Sequence, residues 1–538
     1  MNISSNQIEP LSVAESEQTN QIKHWLGKTR LISILTIYAF LVFYHIDHQS
    51  LWVDEVLSLQ NASPHESFSN RLLWFPGQGP LYFVVLHFWA KLGSSEIWLR
   101  SLSALCGFVA VYFAYAVGIR LFHDRTAWVG ATLFATSPFL IWYGQEVRYI
   151  ALMIMTSLCA MYVFHRALST HRLGWWIACC CSMLVAIAAF LTNILLPVIQ
   201  GLYLLCSSSG RHVFRKWLVW QMPVFVLFVW WANGCSLSNL GGYWEALYLE
   251  IAAKSEELSH SDSSDGLTIG GDRKFTLATL PYTFFTFSTG FSMGPSVRDL
   301  QLSRSLATLM PHLGTLTILS VLFGGLFVSG LMDLRRRAEI GKFLLIWLIV
   351  PILGVLAASG VSGMTYNVRY VASALPPFTL IMAAGVVGLR RSWLQSTLLG
   401  LALLANGVSL ANYYFDPHYA REDSRHAAKY LESAASPRDA IRVVGDPTGI
   451  QHYYQGELPI EIWSREGNND GFLVSGPSRE PSKNYDCLWL VEIRPWQGPR
   501  TKVKTLLQKL YPLIQYQRFA GVEIYAYDLS RLKSANVQ

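Results

Sequence analysis

The sequence predicts an α-helical polytopic membrane protein of about eleven transmembrane helices, with interfacial helices and a small external α/β domain at its C-terminal end. Three observations carry this expectation. Of the 538 residues, 52% are hydrophobic and only 14% charged, whereas soluble domains carry roughly 25% charged residues. Apolar stretches recur from Leu31 to Ala411. Basic residues gather at alternate junctions between those stretches, the asymmetry that marks a cytoplasmic side. The net charge of +7 is therefore read as topology, and no nucleic-acid partner is expected. The eight cysteines lie mostly inside apolar segments, as in Cys179-Cys180-Cys181, which points to packing rather than to a disulfide framework or a zinc site.

Taken in order, residues 1–30 read as a disordered cytoplasmic tail ending in Lys23, Lys28 and Arg30. Leu31 to His45 is the first span, kept as an anchor because no small-residue cleavage site closes it. Pro80 to Leu92 is apolar but short for a span of about 20 residues, so it reads as an interfacial helix in the outer leaflet. Charge decides the point. Only if this helix does not cross do Arg120, His123 and Arg125, and then His165, Arg166, His171 and Arg172, fall inside. The further spans are Leu102–Leu121, Ala127–Trp142, Tyr149–Phe164, Trp175–Leu191, Ile194–Cys206, Trp217–Ala232, Leu313–Leu331, Phe343–Ala358, Tyr370–Leu389 and Trp393–Ala411. Pro376-Pro377 implies a kink in the Tyr370 span. The chain thus divides into a membrane domain, 31–412, and an external soluble domain, 413–538. The N-terminus is cytoplasmic, the C-terminus is external or periplasmic, and the location is the cytoplasmic (inner) membrane.

Between Asn233 and Leu309 the polar run after Lys254 is too hydrophilic to fold alone, and Pro281 to Met293 reads as a second interfacial element. In the tail, Ser424–Ala435 and Val503–Leu510 read as helices, and Ala440–Val444, Leu488–Ile493 and Val522–Tyr527 as strands.

This topology gathers polar residues on one face. Asp54 and Glu55 follow the first span. Gln145-Glu146-Val147-Arg148-Tyr149, Thr192-Asn193 and Asn367-Val368-Arg369-Tyr370 open onto the same side. Carboxylates and arginines at one depth suit an anionic amphiphile. The guanidinium fork binds two phosphate oxygens at once, and a carboxylate activates an acceptor hydroxyl or amine. The plainer readings are a helix cap for the Asp54-Glu55 pair and interfacial anchoring for the arginines.

Trp52-Val53-Asp54-Glu55, Gly79-Pro80-Leu81-Tyr82-Phe83, Trp98-Leu99-Arg100-Ser101-Leu102-Ser103, Gln145-Glu146-Val147-Arg148-Tyr149 and Arg369-Tyr370 with Leu375-Pro376-Pro377 follow one another in an order that resembles the GT-C glycosyltransferases. The nearest group is glycosyltransferase family 39, with its protein O-mannosyltransferases and bacterial aminoarabinose transferases of lipid A. The resemblance covers residues 31 to 410. It implies a sugar transferase that uses a polyprenyl-phosphate donor, inverts the anomeric carbon, and acts on a glycan, lipid or protein acceptor amid membrane lipids. It also implies that Asp54 and Glu55 sit at the acceptor and the reacting sugar. Where the family often has a histidine before the interfacial helix, this chain has Gln78, and where many bacterial relatives have lysine after span five it has Asn193.

Together these readings assign Asp54 and Glu55 to catalysis. Arg148, Arg369, Tyr149 and Tyr370 are assigned to the donor phosphate, and Glu146, Gln78, Tyr82 and Asn193 to acceptor or supporting roles. Asp54, Glu55 and Glu146 are also the candidate set for a divalent cation, magnesium or manganese. The rival class, a transporter or lipid flippase, calls for ionisable residues near the midplane and internal repeats, and the spans show neither. The 413–538 domain is expected to shape acceptor access.

Overall fold

The computed structural model describes residues 27–63, 79–208, 210–236, 279–302, 306–362, 366–465, 472–475, 485–494 and 501–529. Helix α1 covers 27–43. It is followed by α2 (Val53–Ala62), α3 (Pro80–Leu92), α4 (Glu96–Leu121), α5 (Asp124–Ala135), α6 (Pro138–Gly144), α7 (Ile150–Thr170), α8 (Leu173–Ala189), α9 (Leu195–Cys206) and α10 (Arg211–Ser236). Then come α11 (Thr279–Thr289), α12 (Val297–Leu302), α13 (Leu313–Leu334), α14 (Ala338–Ser362), α15 (Leu375–Val387) and α16 (Ser392–Phe415).

Seven of the described helical stretches are long and apolar enough to cross a membrane: Glu96–Leu121, Ile150–Thr170, Arg211–Trp230, Thr308–Leu334, Ala338–Gly360, Val368–Val387 and Ser392–Phe415. The other four expected spans take different forms. The first is α1, described over 27–43. The Ala127–Trp142 segment is broken into α5 and α6, because Ser137-Pro138 starts a new helix with proline in its first turn, where its missing N–H costs nothing. The Trp175 and Ile194 segments are the short apolar helices α8 and α9, separated by a 3₁₀ turn at Leu191–Ile194.

The α4, α5, α7 and α15 helices form the packed centre, with α13 against α15. There Gly330 and Gly385 allow close approach, since a Cβ at either would meet Ile381 O or Leu326 O at about 2 Å. Small residues serve this purpose between membrane helices. The expected Pro376-Pro377 kink is a junction. Val368–Ala374 is a 3₁₀ turn, and α15 starts at Leu375 with its prolines in the first turn.

After α16 the chain enters a mixed sheet, with α17 (Ser424–Ala434), β1 (Ala440–Val444), α18 (Thr448–Tyr453), β2 (Ile460–Arg465), β3 (Phe472–Ser475), β4 (Cys487–Ile493), α19 (Thr501–Leu510), β5 (Leu513–Phe519) and β6 (Val522–Asp528). The order is β3-β2-β1-β4-β6-β5, with β1 parallel to β2 and β4 and the remaining pairs antiparallel. Ala427, Leu431 and Ile450 cover one face with Ile441, Val443 and Trp489. Leu507 covers the other with Leu488, Leu490 and Tyr527.

Candidate active site

The site forms where helices begin or break. Asp54 and Glu55 stand in the first turn of α2, where carboxylates meet unpaired backbone N–H groups. Arg148 projects from the turn between α6 and α7. Arg369 projects from the 3₁₀ turn before α15, whose start Asn367 caps by accepting the Arg369 N–H at 3.1 Å.

These three residues meet. Asp54 Oδ2 lies 2.8 Å from Arg148 Nη1 and 2.9 Å from Arg369 Nη1. Arg148 also donates to the Asp54 carbonyl at 3.3 Å. Asp54 Oδ1 accepts no hydrogen bond from the described residues, and the side chain remains 24% exposed. Each guanidinium carbon lies 5.2 Å from a ring, Arg148 over Tyr149 and Arg369 over Tyr370, and Arg369 Nη2 lies 3.4 Å from Tyr370 Oη. The two tyrosines flank Phe190, with stacked centroids 4.5 and 5.9 Å apart. An aromatic slab therefore fixes both arginines from behind.

Glu55, assigned to catalysis beside Asp54, has another place. It is fully buried. Its Oε1 accepts from Arg100 Nε and Val147 N–H, both at 2.9 Å, and its Oε2 from Arg100 Nη2 at 2.8 Å and Trp52 N–H at 3.2 Å. Sealed and saturated, it cannot touch a substrate. It is the reach-back cap of α2 and the anchor of the Arg148 turn. Burial pushes its carboxyl up, but Arg100, Arg421 and the Val147 N–H outweigh burial and hold it below the usual carboxylate range. Arg100 uses all five of its donors, three of them on the carbonyls of Ile46, Gln49 and Ser50 at 2.7 to 3.1 Å. A buried guanidinium so satisfied fixes the end of α1 against α2 and α4.

Glu146 is also buried, and its Oε1 pairs with Arg421 Nη2 at 2.9 Å. Burial raises its carboxyl pKa against the opposing pull of Arg421, and neighbouring Glu55 adds to the rise. Tyr82 is buried and bonds Ser103 Oγ at 3.0 Å, whose hydroxyl donates to the Arg148 carbonyl at 3.1 Å, so it supports the turn from beneath. Asn193 is buried among α7 and α8, donating to Ala186 O at 2.9 Å. It does not join the Asp54 cluster, and its turn contributes Phe190 instead. Gln78 lies outside the described residues. The Asp54, Glu55 and Glu146 set does not fit a metal. Each carboxylate ends on a guanidinium, and among the described residues no three His, Cys, Asp or Glu side chains converge.

Two arginines that the sequence reading left unassigned complete the cluster. Arg100 stood inside a quoted motif. Its signal is a cation one turn into an apolar helix, which calls for a buried partner. Arg421 comes from beyond the membrane helices and carried no local signal. Arg100 pairs with Glu55 and Arg421 with Glu146, whereas Asp54 faces both Arg148 and Arg369. One positive charge is left over, on the side where Asp54 is open.

The chain is similar to known proteins both in fold and in part of its sequence. A family model described as dolichyl-phosphate-mannose-protein mannosyltransferase matches residues 77–233. The crystal structure of ArnT from Cupriavidus metallidurans bound to undecaprenyl phosphate shares the fold with a TM-score of 0.54 and 14% identity, over 93% of this chain and 98% of that one. The apo form of the same ArnT gives 0.51 and 13%, over 94% and 98%. No curated protein sequence matches the chain.

Proposed function

We propose that this chain is a multi-pass membrane glycosyltransferase. In this reading it transfers a sugar from a polyprenyl-phosphate donor to a lipid, glycan or protein acceptor at the outer face of the cytoplasmic membrane. The observation that carries the reading is the Asp54 carboxylate held on one oxygen by Arg148 and Arg369, with no hydrogen bond to its other oxygen from the described residues. The residual positive charge beside it suits the single negative charge of a phosphodiester, as in a polyprenyl-phosphate sugar, and the ArnT fold, seen elsewhere with undecaprenyl phosphate, supports the same donor class.

The chemistry follows from these groups. Arg148 and Arg369 receive the donor phosphate, each offering a fork of donors. The acceptor oxygen or nitrogen binds at Asp54 Oδ1 and attacks the anomeric carbon from the face opposite the phosphate. The bond from that carbon to the phosphate oxygen breaks, and its electron pair leaves on the phosphate, whose growing charge the two guanidiniums stabilise. The acceptor proton passes to Asp54, and the configuration inverts. Glu55 and Glu146 hold the frame and take no proton. In this reading the chain makes about eleven membrane crossings, counting the short and broken helices, and α2, the Arg148 turn and the 413–538 domain are external.

Lipid mass spectrometry of cells with and without the protein tests the proposal. Loss of one sugar from a lipid or surface glycan, together with accumulation of its polyprenyl-phosphate form, is the expected result. An unchanged lipid and glycan profile contradicts it.

A further inference from the structure

Arg421 lies in the segment that leads from α16 to the sheet, yet only 6% of its side chain is exposed. Its Nη2 pairs with Glu146 Oε1 at 2.9 Å, its Nη1 lies 3.7 Å from Glu55 Oε2, and its guanidinium carbon lies 4.5 Å from the Trp142 ring. Among the described residues, Arg421 is the cation within ion-pair distance of Glu146. An unpaired buried carboxylate is costly, so Glu146 depends on it.

Glu146 opens the turn that carries Arg148. Its carbonyl accepts the Arg148 N–H at 2.8 Å, and the Val147 N–H between them donates to Glu55 at 2.9 Å. An unbroken path therefore runs from Arg421 through Glu146 and this turn to Arg148, and from Arg148 to Asp54. The segment does not need Arg421 to stay docked. Ser50 Oγ donates to Glu422 O at 2.6 Å, the Ser424 N–H donates to Ser50 Oγ at 3.2 Å, and Arg425 Nη2 pairs with Glu96 Oε2 at 2.5 Å. Tyr453 Oη donates to Glu96 Oε1 at 2.8 Å and accepts from the Leu51 N–H at 2.8 Å, clamping α18 onto the entry to α2.

We infer that Arg421 is a positioning residue for donor binding. It grips the 145–149 turn through Glu146 so that Arg148 is aimed at the phosphate, and the segment 416–424 is part of the active site. The sequence alone assigned this tail to acceptor access. The inference rests on the glycosyltransferase reading and names a residue that the reading had not included.

The test measures the affinity of the purified full-length protein for undecaprenyl phosphate in detergent, alongside its melting temperature. It compares wild type, Arg421→Gln, Arg421→Lys, Glu146→Gln and the Arg421→Gln/Glu146→Gln double variant. Arg421→Gln and Glu146→Gln are each expected to weaken binding by about tenfold, within the range by which a contact removed from a site modulates binding at it. The double variant is expected to be no weaker than either single one, because residues acting through one contact are non-additive. Arg421→Lys, which keeps the charge beside Glu146, should recover part of the loss, which a general stability defect would not show. Wild-type affinity in either single variant, losses that multiply in the double variant, or a lysine variant as weak as glutamine each overturn the inference. If Arg421→Gln does not fold, Glu146→Gln decides by the same criterion. A wild-type protein that binds no undecaprenyl phosphate instead removes the glycosyltransferase reading, and the inference with it.

Discussion

Two adjacent carboxylates on α2 lead into two different regions. On one side Asp54 meets Arg148 and Arg369 with one oxygen, and among the described residues its other oxygen accepts no hydrogen bond. On the other side Glu55 is sealed, and both of its oxygens are filled by Arg100, Val147 and Trp52. The residues are one position apart and have the same chemistry. What separates them is the direction each takes from the first helical turn and the number of donors waiting there. Of the two readings of a carboxylate beside a helix start, cap and chemistry, the cap belongs to Glu55, and the proposed chemistry rests on Asp54. The Glu55 region holds the Asp54 region in place, since the Val147 N–H on Glu55 belongs to the same turn as Arg148.

The comparison breaks most severely at Glu55. Glu55→Gln leaves buried Arg100 without its hydrogen-bonded carboxylate, with Glu96 3.9 Å away, and breaking such a pair costs about 3–5 kcal/mol. The expected result is a large fall in folded protein and in melting temperature in detergent. A folded, fully stable Glu55→Gln protein would show that the two regions are not divided in this way. The pH dependence sharpens the same point. The folded Glu55 carboxyl is held below its usual range, so its stabilising contribution is present above the unfolded value of about 4.3. It is lost as pH falls from there through the lower folded value. Thermal melts across that window should show an acid loss in wild type that is smaller in Glu55→Gln.

On the Asp54 side the effects fall on binding. Arg369→Ala is expected to weaken undecaprenyl phosphate affinity by about 1.5–3 kcal/mol, and Arg369→Lys by less, because lysine keeps the charge and loses the fork. Equal and negligible effects in a binding titration would return Arg369 to an interfacial anchor. The smallest effect is expected at Tyr82→Phe, which removes one hydroxyl bond to Ser103, about 0.5–1.5 kcal/mol. It should lower the melting temperature slightly and leave donor affinity near wild type.

The sequence made Asp54, Arg148 and Arg369 legible because each stands beside an apolar segment end, where a charge is conspicuous. It did not separate Asp54 from Glu55. That distinction depends on Arg100 and Val147, which lie 45 and 92 positions from Glu55. Arg421 was out of reach for the same reason, being one of many charges in a polar tail until the tail folds back. The expected tail elements Ala440–Val444, Leu488–Ile493 and Val522–Tyr527 are strands of the sheet, within a residue of their observed bounds. They are apolar central strands. Ile460–Arg465 and the edge strand Leu513–Phe519 mix polar and apolar residues and gave no such signal. In the bundle, hydropathy reads the Ala127–Trp142 stretch as one span, whereas it forms two helices. The Ser137-Pro138 pair, a helix-start signature, was the available sign.

The central claim is that the Asp54 charge acts in transfer while its neighbour holds the frame. Asp54→Asn keeps the shape and removes the charge. The direct measurement is sugar transfer per folded molecule by purified Asp54→Asn protein, using the donor and acceptor that lipid profiling identifies. Because general-base catalysis supplies typically 10²–10⁴-fold, turnover should fall by about that factor while the melting temperature stays near wild type. Near wild-type turnover in the folded variant would contradict the claim and leave Asp54 as a structural partner of its two arginines.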